Sequence, residues 1–168
     1  MSRLVQFYCG EAPDTEGRRL TDIWSWDDEE LEVIHDFIQW LFPLTEPSQF
    51  TPDAPLLTPE DIAAFHVDPD LRGNLGKSFE RMLAFFGLAL AGEGNVVEAA
   101  NFASRVPEIW AEPNHNWLRV TRILRSLTLL GLAPLATAFF DWLEASYKSH
   151  RFPISEETFC YWSEAVST

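Results

Sequence analysis

Residues 22–44, DIWSWDDEELEVIHDFIQWLFPL, carry the apolar periodicity of a buried helix together with seven carboxylates and no Lys or Arg. The imbalance extends further: from Leu20 to Leu71 there is no Lys or Arg, but there are thirteen Asp or Glu. That span accounts for nearly all of the formal net charge of −14. A core helix beside so much acid needs water, a cationic partner, or basic residues elsewhere in the fold.

At 100° per residue, Leu31, Ile34, Ile38 and Leu41 form one apolar stripe of a predicted helix that starts near Ser25 and stops before Pro43. Val33, Phe37 and Trp40 form a second. Ser25 with Asp28 reads as its capping box. Between the stripes runs a polar edge of Asp28, Glu32, His35 and Gln39. A second helix, predicted from His115 to Leu130 with Asn114 as cap and Gly131 as stop, carries His115, Arg119, Arg122 and Ser126 on one edge. Paired arginines near a helix N-terminus favour anionic groups, and their planar forks grip carboxylates bidentately. Two arrangements satisfy both edges. They face each other as internal salt bridges, or they flank a groove suited to a zwitterion, with Trp26, Trp40 or Trp117 as an aromatic wall.

The remaining elements point to an all-α class. Residues 59–66 follow Thr58 as a cap and Pro59 at the first helical position. The spacing of Leu71, Leu75, Phe79, Met82 and Phe86 predicts a helix over 69–86. Further helices are expected at 96–110, 134–149 and 156–166. The expected architecture is one compact bundle of six or seven helices forming a single domain, 1–168. Residues 1–24 are read as an extended arm and loop, and 25–168 as the helical core. With 168 residues, 46% hydrophobic and 14% aromatic, the chain is long and apolar enough to bury such a core.

Several function classes are disfavoured. A strongly acidic chain makes a poor ligand for nucleic acid or for an anionic membrane surface. No apolar run reaches the ~20 residues of a transmembrane helix. The four histidines and two cysteines lack metal-ligand spacing, and although His35-Asp36 is similar to the pair of metal-dependent phosphohydrolases, the other ligands of that pattern are missing. There is no GxSxG or CxxC, and GEGN at 92–95 lacks the Lys-Ser/Thr of a phosphate loop. No cofactor is expected. Cys9 and Cys160 read as free thiols in a reducing, cytoplasmic setting, with a bridge between them left open.

Two blocks resemble the conserved domain of the opioid growth factor receptor family. One is WDDxxLExxHDFIQWLFPL followed by EPS, Trp26 to Ser48; the other is HNWLRVTRILRSL, His115 to Leu127. QFY at 6–8, PD at 13–14 and DI at 22–23 are similar to its N-terminal portion. The resemblance implies the family's helical fold. It also implies opioid peptide receptor activity, described for the animal member as methionine-enkephalin binding with nuclear or perinuclear association. The acidity and the preference for Arg over Lys, ten against two, fit a bacterial stand-alone version.

The expected function is therefore binding of a small molecule, a peptide or a protein partner rather than chemistry. Its expected ligand-binding residues are Asp28, Glu32, His35, Gln39, Trp40, His115, Asn116, Arg119 and Arg122. Asp28 and Glu32 are expected to take a cationic end and Arg119 and Arg122 an anionic one. The alternatives are an enzyme using His35 or His115 as acid/base and an acidic protein-interaction module.

Overall fold

The computed structural model describes residues 1–167. In chain order its elements are α1 (Arg3–Tyr8), α2 (Leu20–Trp24), α3 (Asp28–Val33), α4 (Ile38–Leu41), α5 (Pro59–Val67) and α6 (Pro69–Phe86). A hairpin of β1 (Leu88–Leu90) and β2 (Val96–Glu98) follows, then α7 (Phe102–Arg105), which runs into a π-helical turn at Val106–Trp110. The chain ends with α8 (Asn116–Leu129), α9 (Ala133–Lys148) and α10 (Glu156–Ala165). The class is all-α with one small antiparallel hairpin, in which Leu88 faces Glu98 and Leu90 faces Val96. Among the described residues no helix is long and apolar enough to cross a membrane.

Four expectations need correction. The N-terminal arm is not extended: α1 is a helix capped by Ser2, whose side chain accepts the Val5 N–H, and it buries Leu4, Val5, Phe7 and Tyr8. The capping box of α3 lies at Asp27 and Glu30, not at Ser25 and Asp28. The helix predicted through to Pro43 also breaks between α3 and α4, where Ile34 is extended (φ −91°, ψ 127°). Two features coincide with the break. Val33 and Ile34 are β-branched, and Arg18 draws Asp36 aside, donating from Nη1 to its carboxylate at 2.7 Å. The polar residues Asp28, Glu32, His35 and Gln39 therefore do not share one continuous helical edge. The stretch predicted as a helix at 96–110 begins instead as β2.

Two compact units divide the chain, residues 1–78 and the residues from 79 onward, and the division falls within α6. The first unit is tied by polar groups. The fully buried Tyr8 hydroxyl bonds the Leu41 carbonyl and Ser78 Oγ (3.1 Å), which also accepts from Trp24 Nε1 at 2.9 Å. Asn74 donates to the Tyr8 carbonyl at 2.7 Å. Burial pushes the Tyr8 phenol far above its ordinary value, against a smaller lowering by Ser78, so it stays protonated and able to donate. Rings close the remaining space: Phe7 on Trp40 (5.2 Å), Tyr8 on Phe65 (5.3 Å) and Trp26 edge-on to Phe37 (5.5 Å).

The second unit is built on aromatic packing. Helices α8, α9 and α10 pack on one another. Phe86 stacks on Phe139 at 6.0 Å, and Trp110 meets Trp142 at 4.9 Å. The buried indoles spend their N–H groups on backbone carbonyls: Trp110 on Phe86, Trp117 on Ile109 and Trp162 on Trp117. Gly87 ends α6 with φ +84°, where an added Cβ would come within 2.9 Å of the Phe102 Cα. The αL position closing α9 is held by His150 at φ +54°, a site glycine would fill without steric cost.

Candidate functional site

In the first unit, Asp28 and Glu32 lie in the first and last turns of α3, both half-buried. His35 is exposed in the break between α3 and α4. Gln39 and Trp40 are buried on α4. The Trp40 ring is taken up by Phe7. Gln39 is different: only 5% of it is exposed, and its Oε1 is buried without a hydrogen-bond partner.

Sequence reasoning missed the residue that organises this segment. Arg18 donates from Nε to Asp14 Oδ2 and from Nη1 to Asp36 Oδ1, both at 2.7 Å, and its guanidinium lies 5.6 Å from the Trp26 ring. Asp14 is buried, and it also accepts the N–H groups of Glu16 and Arg18, each at 2.9 Å. Burial lowers the Arg18 pKa, but the bonds to Asp36 and Asp14 outweigh it, and the net shift is upward. The PD turn, Trp26 and the HD pair of the sequence motifs thus meet on one guanidinium. The only signal available in sequence was the spacing of four between Asp14 and Arg18. Asp36 is held in this ion pair, and among the described residues no three His, Cys, Asp or Glu gather as a possible metal site.

In the second unit, α8 begins one residue later than expected, with His115 rather than Asn114 at the cap position; the Asn114 side chain instead closes the preceding turn, its Oδ1 accepting the Asn116 N–H at 2.9 Å and its Nδ2 donating to the Ile109 carbonyl at 2.8 Å. The polar edge of α8 points largely inward. Asn116 is fully buried, Arg119 is 5% exposed and Ser126 is fully buried. Arg122 is half-buried and His115 exposed. Arg119 Nη1 donates to Asn116 Oδ1 at 3.3 Å, and its guanidinium carbon lies 6.0 Å from the Phe85 ring centroid. Arg105, a second residue not anticipated, lies 4.8 Å from the same ring and donates from Nε to the Phe85 carbonyl at 2.7 Å. One buried ring thus receives two guanidiniums, an arrangement that fixes their planes. Trp117 is buried and meets Trp162 edge-on at 6.0 Å.

A family model described as the opioid growth factor receptor conserved region matches residues 2–167. The opioid growth factor receptor of Rattus norvegicus is 41% identical over 129 residues, which is 73% of this chain and 21% of that protein. The human protein of the same name is 38% identical over 125 residues, 70% of this chain and 18% of its own length. The opioid growth factor receptor-like protein 1 of Mus musculus is 40% identical over 132 residues, 76% of this chain and 28% of that protein. The chain thus spans roughly a fifth to a quarter of these relatives. No solved structure matches it.

Proposed function

Because this chain belongs to the opioid growth factor receptor conserved-region family, we propose that it acts by binding, recognising a small zwitterionic or peptide ligand. Within the second unit, Arg119 and Arg122 of α8 are assigned to anionic groups of the ligand. His115 and Asn116, at the start of the same helix, complete this set. One observation supports this reading above the others: Arg119 is buried and positioned by Asn116 and Phe85 before any ligand arrives. A guanidinium with a fixed plane loses little freedom on gripping a carboxylate, so its binding energy goes into recognition. The relatives are named receptors, which favours binding over chemistry.

A thermal-shift screen of free amino acids and of di- to pentapeptides, opioid peptides included because of the relatives' names, tests the reading. The expected result is a hit whose stabilisation disappears in Arg122→Ala and weakens in Arg119→Lys, which keeps the charge but loses the fork. A screen without hits, or hits indifferent to both changes, overturns it.

A second reading is favoured by charge. Residues 1–78 hold 16 Asp or Glu against 5 Lys or Arg, so a basic protein partner fits this unit. Capture of such a partner falling steeply between low and physiological salt is its signature.

A further inference from the structure

Resting on the charge-based reading above, we propose that the loop between α4 and α5 docks a basic protein partner, with Phe50 at its tip as the anchor. Residues 45–56, TEPSQFTPDAPL, leave and return to one point, where the Leu57 N–H donates to the Leu44 carbonyl at 2.9 Å. Pro43 and Leu57 are buried at that base. Closed surface loops of this kind ordinarily pack their own side chains inward, and they are often functional.

Phe50 points outward instead. It is 82% exposed, the most exposed large apolar side chain among the described residues, and Leu56 of the same loop is 44% exposed. The ring thus forgoes the burial that Phe7, Phe37, Phe42 and Phe65 of the same unit obtain. The backbone beneath it is held. Ser48 Oγ accepts the N–H groups of Phe50 and Thr51 at 3.2 and 3.3 Å, and the Ala54 N–H donates to the Thr51 carbonyl at 3.1 Å. Pro47, Pro52 and Pro55 each fix a φ angle, so the loop has less freedom to lose when a partner grips it. A solvent-facing aromatic ring on a fixed turn suits an interface anchor, because a few buried aromatics carry most of the energy of protein association.

The chemistry of the partner follows from what surrounds the ring. Glu46 and Asp53 are exposed, four and three positions from Phe50, and the loop has no Lys or Arg. It lies inside the stretch from Leu20 to Leu71 that holds thirteen acidic residues and no Lys or Arg. An apolar pocket with a cationic rim complements a ring flanked by carboxylates. A second copy of this chain, with its formal net charge of −14, would meet the loop with like charge. The carboxylates steer the encounter and set its salt dependence, while burial of the ring sets the lifetime of the complex.

The test begins with p-benzoylphenylalanine at position 50 of the full chain, activated by light in cells that produce it. The protein that it crosslinks is identified by mass spectrometry, purified, and used as the probe. No crosslinked protein, or one without a net positive charge, overturns the proposal. Against the purified probe, Phe50→Ala is expected to weaken binding ~30-fold, chiefly through faster dissociation. Glu46→Gln/Asp53→Asn is expected to slow association and flatten the salt dependence. Ser48→Ala keeps the ring but removes the acceptor beneath it, with an expected weakening of ~3-fold. Salt-sensitive binding that is indifferent to Phe50→Ala overturns the anchor and leaves the charge-based reading standing, whereas binding without salt dependence overturns that reading. In the isolated protein, Phe50→Ala should leave the melting temperature within ~2 °C of the parent. A larger fall would mean that the ring is packed in solution, and would overturn the anchor whether or not a partner is known. Self-association in sedimentation velocity that Phe50→Ala abolishes would assign the loop to a second copy and overturn the proposal.

Discussion

The two units stabilise themselves by different means. The first has 16 acidic and 5 basic residues, and outside α5 and α6 its helices are four to six residues long. Helices that short do not persist in water alone. Side chains bonded to distant backbone and to one another hold them: Tyr8 to Leu41, Trp24 to Ser78, Arg18 to Asp14 and Asp36. From residue 79 onward there are 10 acidic and 7 basic residues. Helices of 14 and 16 residues enclose stacked rings there. Aromatic burial carries the second unit and directed polar contacts carry the first.

The largest effect is expected where that burial is densest. Trp110 is fully buried, contacts Phe86, Trp142 and Phe152, and donates to the Phe86 carbonyl. Trp110→Ala should cost ~3–5 kcal/mol in urea unfolding. A cost below ~1 kcal/mol would remove aromatic packing as the basis of the second unit.

Arg18 is the corresponding probe of the first unit. Arg18→Ala removes the cation from the buried Asp14 carboxylate, which keeps its two backbone N–H donors, and releases Asp36, with an expected loss of ~2–3 kcal/mol. Arg18→Lys keeps the charge but cannot fork between two carboxylates, so it should recover less than half. Full recovery by lysine would mean that charge alone matters and that the directional account of this unit is wrong.

Arg18 also shows why part of the fold could not be read from the sequence. Helices α5, α6 and α8 were legible because a cap or an apolar spacing lies within the element itself: Thr58 with Asp61, Leu71 through Phe86, Val120 through Leu127. The ion pair at the break between α3 and α4 comes from a guanidinium 18 positions away from Asp36, and no local pattern announces that. Helix α1 was missed because six residues give too short a window to separate a helical period from an extended one. Spacing placed Arg119, Arg122 and Ser126 on one helix but did not reveal that Asn116 and Arg119 turn inward. Gln39 was legible as a polar position on a buried segment. Its lack of a partner is a property of three dimensions.

The smallest expected effect reads the acid of the first unit directly. Cys9 is an exposed free thiol. Its pKa is raised, first by partial burial and then by the negative charges of Glu11, Asp68 and Asp70. Only the thiolate is alkylated, so a raised pKa means a smaller reactive fraction at any pH below it. Neutralising the neighbours in Glu11→Gln/Asp68→Asn lowers that pKa and moves the rate-against-pH curve towards lower pH. At pH 7.5 iodoacetamide should label Cys9 ~2-fold faster, as followed by mass spectrometry, since a full pKa unit would give ~10-fold and exposed charges are screened. High salt should shrink the difference between variant and parent. An unchanged rate at low salt would mean that the carboxylates are too well solvated to act on Cys9. The contrast between the units would then rest on their internal contacts alone, without a contribution from net charge.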